Sequence, residues 1–259
     1  MVTSIKAEQR PIVIQGAMPV ESERMAARLQ HVRTETYGGW KFWIGTLDGY
    51  PVVISKTLMG MTNAAAATAI AIEKYQPIAI INQGTSGGHD PKLKVYDIVL
   101  GQHSANIGAF KTEVQPLGKG SNPLTWTPMD VIANESSLDH NPAAMTMRKF
   151  PADPTLLSIA KTVQYQKGKL VEGTIGSSDV WNSELDRIQQ LHTKYGTSTE
   201  EMEAASVAQV AALYQVPYLS VRILSNNITN DGQYDESTAD ACQDYVLDVA
   251  KAYIATLTS

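Results

Sequence analysis

The chain has 259 residues, 43% of them hydrophobic and 18% charged, with 18 Gly and 12 Pro. A chain of that size buries a substantial core unaided, and that balance excludes disordered, collagen-like and coiled-coil proteins. Its 21 Lys and Arg against 26 Asp and Glu give a net charge of −5 without a basic stripe, so nucleic acid is not an expected partner.

Cys242 is the single cysteine, which excludes an intrachain disulfide and a multi-cysteine metal site and suits a reducing compartment. No apolar run approaches the roughly 20 residues that span a bilayer, so no membrane association is expected. The polar lead Met1 to Arg10 (MVTSIKAEQR) lacks the apolar stretch of a signal peptide. A lead left after trimming of a signal is the alternative. The expected domain then covers residues 11–259.

Short β-branched runs alternate with helical stretches, the pattern of βαβ units around a largely parallel sheet, so the class is α/β. Pro11 to Ile14 is a buried strand ending at Gly16, and Val20 to Leu29 is expected as a helix with glutamates in its first turn. Lys41 to Thr46 and Pro51 to Thr57 flank Asp48-Gly49, a dipeptide suited to the positive φ values of a tight hairpin turn, which makes the sheet mixed. Thr62 to Tyr75 is an Ala-rich helix stopped by Pro77, and Ile78 to Ile81 is an all-apolar central strand. A strand at Asp97 to Gly101, a helix near Pro154 to Gln166 and a strand near Leu170 to Ile175 follow. Helices at Glu184 to Tyr195 and Glu203 to Tyr214, a strand at Tyr218 to Leu224 and a closing helix at Glu236 to Leu257 complete one domain. Gly101 to Pro151 has no sustained period and is expected as a long functional or interfacial loop.

Ligands in open α/β sheets bind beyond the carboxyl ends of strands. The segments at those places are Gln15 to Glu21, Asn82 to Gly88, Ser177 to Asn182 and Ser225 to Asn227, with Glu200 to Glu203 ahead of a helix. The Gly84 to Gly88 run is expected as a loop that can offer N–H groups and hydroxyls, yet it has neither the spacing nor the lysine of a P-loop; a plain glycine turn is equally compatible. Glu21 and Glu203 each sit at an expected helix start, where a glutamate usually serves only the dipole. Trp181 offers a flat face for a base, although a tryptophan is more often core or interface. Met18, Met59, Met61 and Met202 are core residues unless they line a pocket for apolar or sulfur-containing groups. The five histidines fall in no metal-ligand spacing and no Gly-x-Ser-x-Gly elbow is present.

Taken in order, these segments resemble the nucleoside phosphorylase/nucleosidase superfamily, and specifically the bacterial 5'-methylthioadenosine/S-adenosylhomocysteine nucleosidases. Gly16-Ala17-Met18 followed by Glu21 is similar to that family's Gly-Ala-Met-x-x-Glu, and Asn82 to Gly88 to its Asn-x-Gly-Ser-x-Gly-Gly. Glu201-Met202-Glu203-Ala204 is similar to its Glu-Met-Glu-Ala, and Val221-Arg222-x-x-Ser225 to the Val-Arg-x-x-Ser before its catalytic acid. The resemblance implies a three-layer α/β/α domain with a mixed central sheet, a homodimer in the cytoplasm, no cofactor, and a place in methionine salvage. It implies that Glu21 activates the attacking water with Thr85 beside it, and that Glu203 and Met202 bind the ribose. It further implies that Trp181 stacks on the base while Asn182 offers its backbone to the base edge. Met18, Gly87, Glu201, Arg222 and Ser225 complete the implied substrate site.

One departure stands out. Where the family carries the aspartate that protonates adenine N7, this chain has Asn226, which hydrogen-bonds but cannot donate a proton in the same way. Three readings stay open: an introduced change made to hold substrate, a natural variant with slower turnover or another acid, or a preference for 6-oxopurines. Phosphorolysis is the main enzymatic alternative, and the absence of arginine at Asn82 and between Gln15 and Glu21 favours water. A non-catalytic nucleoside-binding protein is the alternative of a different class.

Overall fold

A computed structural model describes residues 9–134, 136, 140–227 and 231–258. Most of the polar lead therefore lies outside the described residues. The strands are β1 Ile12–Gly16, β2 Gln30–Tyr37, β3 Trp40–Leu47, β4 Tyr50–Lys56, β5 Ala79–Gly88, β6 Ile98–Asn106, β7 Phe110–Lys111, β8 Thr127–Pro128, β9 Lys149–Pro151, β10 Leu170–Ser177, β11 Thr197–Glu201 and β12 Tyr218–Asn226. The helices, in our numbering, are α1 Glu23–Ala26, α2 Met61–Tyr75, α3 Pro154–Thr162, α4 Leu185–Tyr195, α5 Ala204–Tyr214 and α6 Thr238–Thr258.

Ten strands form one mixed sheet in the order β11-β10-β6-β12-β5-β1-β4-β3-β2, with β9 added on β6. β11 also pairs antiparallel with β5, through Thr199 to Gly88 and Glu200 to Gly87. Strands β5, β12, β6, β10 and β11 thus close into a ring, while β1, β4, β3 and β2 extend from it as an open wing. Strand alternation sorts the core into two layers. Ile12, Ile14, Ile54 and Ile81 face Tyr245, Val246 and Val249 of α6, whereas Val13, Val53 and Ile80 face Ala64 and Ala71 of α2 and Val207 and Ala211 of α5. The expected three-layer α/β class is observed.

The hairpin turn is as expected, with Asp48 at φ 49° and Gly49 at φ 78°, both in the region a type I′ turn requires. Helix α2 stops at Gln76 in the left-handed conformation, one residue ahead of Pro77.

Three expectations are corrected. Val20 to Leu29 is not one helix: Pro19–Glu21 forms a 3-10 turn, Ser22 breaks the run at φ −136°, and α1 is a single short turn. The Ser22 hydroxyl donates to Met18 O at 2.8 Å, a local bond that competes with helix propagation. Gly84 to Gly88 is not a loop but the end of β5, held between β12 and β11. Gly101 to Pro151 is not one structureless loop. Its first residues belong to β6, its last to β9 on the β6 edge, and a small β7–β8 ladder lies between. That ladder packs on α4, with the Arg187 guanidinium 4.7 Å from the Phe110 ring centre and Gln190 Nε2 donating to Leu124 O.

Candidate active site

The carboxyl ends of β1, β5, β10, β11 and β12 surround a cavity of about 410 Å³. Glu21 enters it from the 3-10 turn after β1, where Gly16 permits a very close approach: a Cβ there would lie 2.1 Å from Glu21 O. The turn is closed by Glu21 N–H donating to Met18 O. Glu21 Oε1 accepts from both the backbone N–H and the hydroxyl of Thr85, at 2.9 and 2.8 Å, while Oε2 accepts from Met18 N–H. This aims the carboxylate over Gly84, whose missing side chain leaves the space it occupies.

Glu203 occupies the N-cap position of α5, with no side-chain capping bond, and lines the same cavity. Burial, then the neighbouring Glu201 and the more distant Glu21, push its carboxyl well above the usual range, against the opposing pull of Arg222. Met202 lies beside it on the cavity wall. Glu201 both lines the cavity and holds the structure beneath it, accepting from the N–H groups of Glu203 and Ala204, from Ser177 Oγ, and from Arg222 Nε at 3.1 Å and a terminal nitrogen at 2.5 Å. Arg222 is 1% exposed and also donates to Asn82 Oδ1. Burial alone would lower the Arg222 pKa, but Glu201 and Glu203 outweigh it and hold the guanidinium charged.

Across the cavity, Asn226 stands beside Gly87 and its Oδ1 accepts from Ser225 Oγ at 2.9 Å. Trp181 is 66% exposed at the mouth and meets Tyr234 edge to face, with ring centres 6.3 Å apart. Asn182 lines the same cavity, its Oδ1 accepting from Glu184 N–H. The structure therefore brings Glu21, Thr85, Met18, Gly87, Trp181, Asn182, Glu201, Met202, Glu203, Ser225 and Asn226 to one cavity. Arg222 is the exception: it sits under the wall rather than on it. Asp179, two residues before Trp181, accepts from Met61 N–H at 2.8 Å, supplying the cap that Gly60 cannot give α2.

Residues 11–258 match the family model for the Phosphorylase superfamily. A 5'-methylthioadenosine/S-adenosylhomocysteine nucleosidase of Bacillus cereus (strain G9842) is 32% identical over 222 residues, 83% of this chain and 85% of its own length. The chain belongs to this nucleosidase family within the phosphorylase superfamily. The nucleosidase of Shewanella loihica is 30% identical over 231 residues, 86% of this chain and 89% of its own. Among solved structures, the nucleosidase of Colwellia psychrerythraea in complex with adenine superposes with a TM-score of 0.75 at 24% identity, covering 95% of this chain and 96% of that one.

Within this nucleosidase fold, sequence reasoning singled out neither Tyr234 nor Glu236, and did not place Met59 or Glu200 among the site residues, yet all four line the cavity. Glu200 had a local signal in the acidic run it shares with Glu201 and Glu203. Tyr234 had none, because only the return of the chain from β12 toward α6 brings it to the mouth.

Proposed function

We propose that the protein hydrolyses the N-glycosidic bond of 5'-methylthioadenosine and S-adenosylhomocysteine, releasing adenine. The observation that carries this reading is the convergence of Glu21 and Glu203, from distant parts of the chain, on one cavity that also holds Asn226. Nucleoside cleavage proceeds through a ribosyl cation with a departing purine, so carboxylates beside the sugar and a hydrogen-bond donor beside the base are what it needs.

In this reading Glu21, oriented by Thr85 and Met18, takes a proton from water as the water oxygen bonds to the anomeric carbon. The bond from that carbon to purine N9 breaks and its electron pair leaves with the base. Glu203 and Met202 hold the ribose, Trp181 and Asn182 bind the base, and Asn226, oriented by Ser225, donates to N7. Gly87 leaves room for the base, and Met18 packs on the sugar side. Arg222 and Glu201 act as positioning residues that fix the start of α5.

No Lys or Arg is among the described residues lining the cavity, whereas Glu21, Glu200, Glu201, Glu203 and Glu236 are. Such a wall repels a phosphate dianion and favours water over phosphorolysis. A homodimer is part of the same proposal, supported by family membership and by the exposed apolar side chains of Met59, Val180 and Trp181 at the cavity mouth. So are a cytoplasmic location, a role in methionine salvage and the absence of a nucleic-acid partner.

Adenine release from 5'-methylthioadenosine, followed with and without phosphate, tests the function. Release without phosphate is expected. Release only with phosphate would make the protein a phosphorylase, and saturable binding without release in either condition a nucleoside-binding protein.

A further inference from the structure

Two cavity glutamates, Glu200 and Glu236, have no role toward the substrate in the reading above, and the geometry around Glu200 carries an inference. Glu200 of β11 and Asn226 of β12 are the two register partners of Gly87 in β5, one on each side. Directly paired residues in adjacent strands present their side chains to the same face. Gly87 keeps the gap between them open, since a Cβ there would lie 3.3 Å from Asn226 Nδ2 and 3.9 Å from Glu200 Cγ.

The polarity of the two walls is set by their neighbours. The Ser225 hydroxyl donates to Asn226 Oδ1, and Nδ2 is the end of the amide nearer the gap, so Asn226 offers a donor there. Behind Glu200 lies His89, whose side chain is fully covered. His89 Nε2 lies 3.1 Å from Glu200 Oε1, within ion-pair range although off hydrogen-bond geometry, and its Nδ1 lies 2.6 Å from Thr197 Oγ1. An ionised carboxylate only accepts. A donor and an acceptor therefore converge across one glycine.

Purines differ in what they show to such a pair. Every purine has the N7 acceptor, but beside it a 6-aminopurine carries N–H donors and a 6-oxopurine a second acceptor. An amide alone suits either, because Nδ2 can donate to N7 or to a 6-oxo oxygen. Beside N7 a carboxylate suits the amine and repels the oxygen, since the N1–H donor of a 6-oxopurine lies on the far side of that oxygen.

We infer that Glu200 is a specificity-determining residue, accepting from the 6-amino group while Asn226 donates to N7, so that the site takes 6-aminopurine nucleosides and rejects 6-oxopurine ones. This rests on the nucleoside reading and selects among the alternatives that Asn226 alone leaves open.

Calorimetric affinities of the full chain for 5'-methylthioadenosine and 5'-methylthioinosine, and for free adenine and hypoxanthine, test it. Hydrogen bonds to charged groups set the expected preference of the unaltered protein for the amino compounds at roughly ten- to a hundredfold. Glu200→Gln and Glu200→Ala should each cut that ratio at least about tenfold, chiefly by weakening the amino compound, with the urea midpoint confirming that each variant is folded. Equal affinity of the unaltered protein for adenine and hypoxanthine overturns the inference even if neither variant folds. So does a folded variant whose ratio is unchanged. In both cases binding of 5'-methylthioadenosine keeps the nucleoside reading intact, whereas no binding of any of the four compounds removes that reading and the inference together.

Discussion

Thr85 donates its backbone N–H and its hydroxyl to the same oxygen of Glu21, at 2.9 and 2.8 Å. Two donors on one carboxylate oxygen fix the plane of the group and leave little freedom for the proposed base. The same carboxylate occupies the space over Gly84, where a Cβ would lie 2.9 Å from Oε1. Gly84→Ala should therefore displace Glu21 while leaving the fold in place. We expect a fall in kcat of roughly ten- to a hundredfold from a displacement of this kind, with the nucleoside KM little changed. Steady-state kinetics on 5'-methylthioadenosine give the split; a raised KM at unchanged kcat would show that Glu21 does not act on the nucleophile.

Asn226→Asp introduces a group that can pass a proton to the leaving base. General acid assistance is worth about 10²–10⁴-fold, and the Ser225 hydroxyl that donates to Oδ1 can orient a carboxyl in the same way. Single-turnover adenine release should rise within that range. An unchanged or slower rate would place Asn226 away from the leaving group.

Glu203, proposed to hold the ribose, also bears on stability. Burial, followed by the carboxylates of Glu201 and Glu21, raises its pKa in the folded protein, while the unfolded chain keeps a glutamate value of about 4.3. Between these values the folded state binds more protons than the unfolded state. Stability from this group thus falls as pH rises above about 4.3 and levels off above the folded pKa. Glu203→Gln should be no more stable than the unaltered protein near pH 4, and increasingly more stable toward pH 8, while binding nucleoside more weakly. Urea midpoints across that range decide it, and a stability difference that shrinks with rising pH would reverse the sign.

Arg222 and Glu201 form an ion pair in which both side chains are at most 3% exposed. Removing one charge leaves the other buried and uncompensated, so Arg222→Met should cost about 3–5 kcal/mol. Adding Glu201→Gln should recover much of that loss, because the amide oxygen still accepts from the N–H groups that begin α5. A double-mutant cycle by urea denaturation measures the coupling, and strictly additive losses would rule out the pairing.

What could be read from the residues follows from how locally each feature is determined. Asp48-Gly49 states its turn in two residues, and Ile78 to Ile81 states a doubly covered strand in four. β2 (QHVRTETY) is a polar edge strand, exposed along much of its length, so it lacks the alternation that a buried face imposes. β11 (TSTEE) is buried but polar, because its side chains serve Arg222, His89 and the start of α5 rather than the core. The glycines of β5 read as a loop when taken alone. Only the neighbouring strands show that they are gaps, opened for Glu21 over Gly84 and for Asn226 and Glu200 beside Gly87. Glu21, Thr85, Glu203 and Asn226 were legible because they lie within short motifs, whereas Tyr234 depends on a distant return of the chain.

The ring made by β5, β12, β6, β10 and β11 has a mechanical consequence. A strand at a free margin can peel away one hydrogen bond at a time, but Gly87 and Glu200 are stitched to partners on both flanks. Prying the proposed purine slot apart means tearing a closed hoop. The β2–β3–β4 wing can fray and tolerate insertions while the slot keeps its gauge, so amide deuterium uptake should spread inward from Gln30 to Tyr37 and reach Gly87 last.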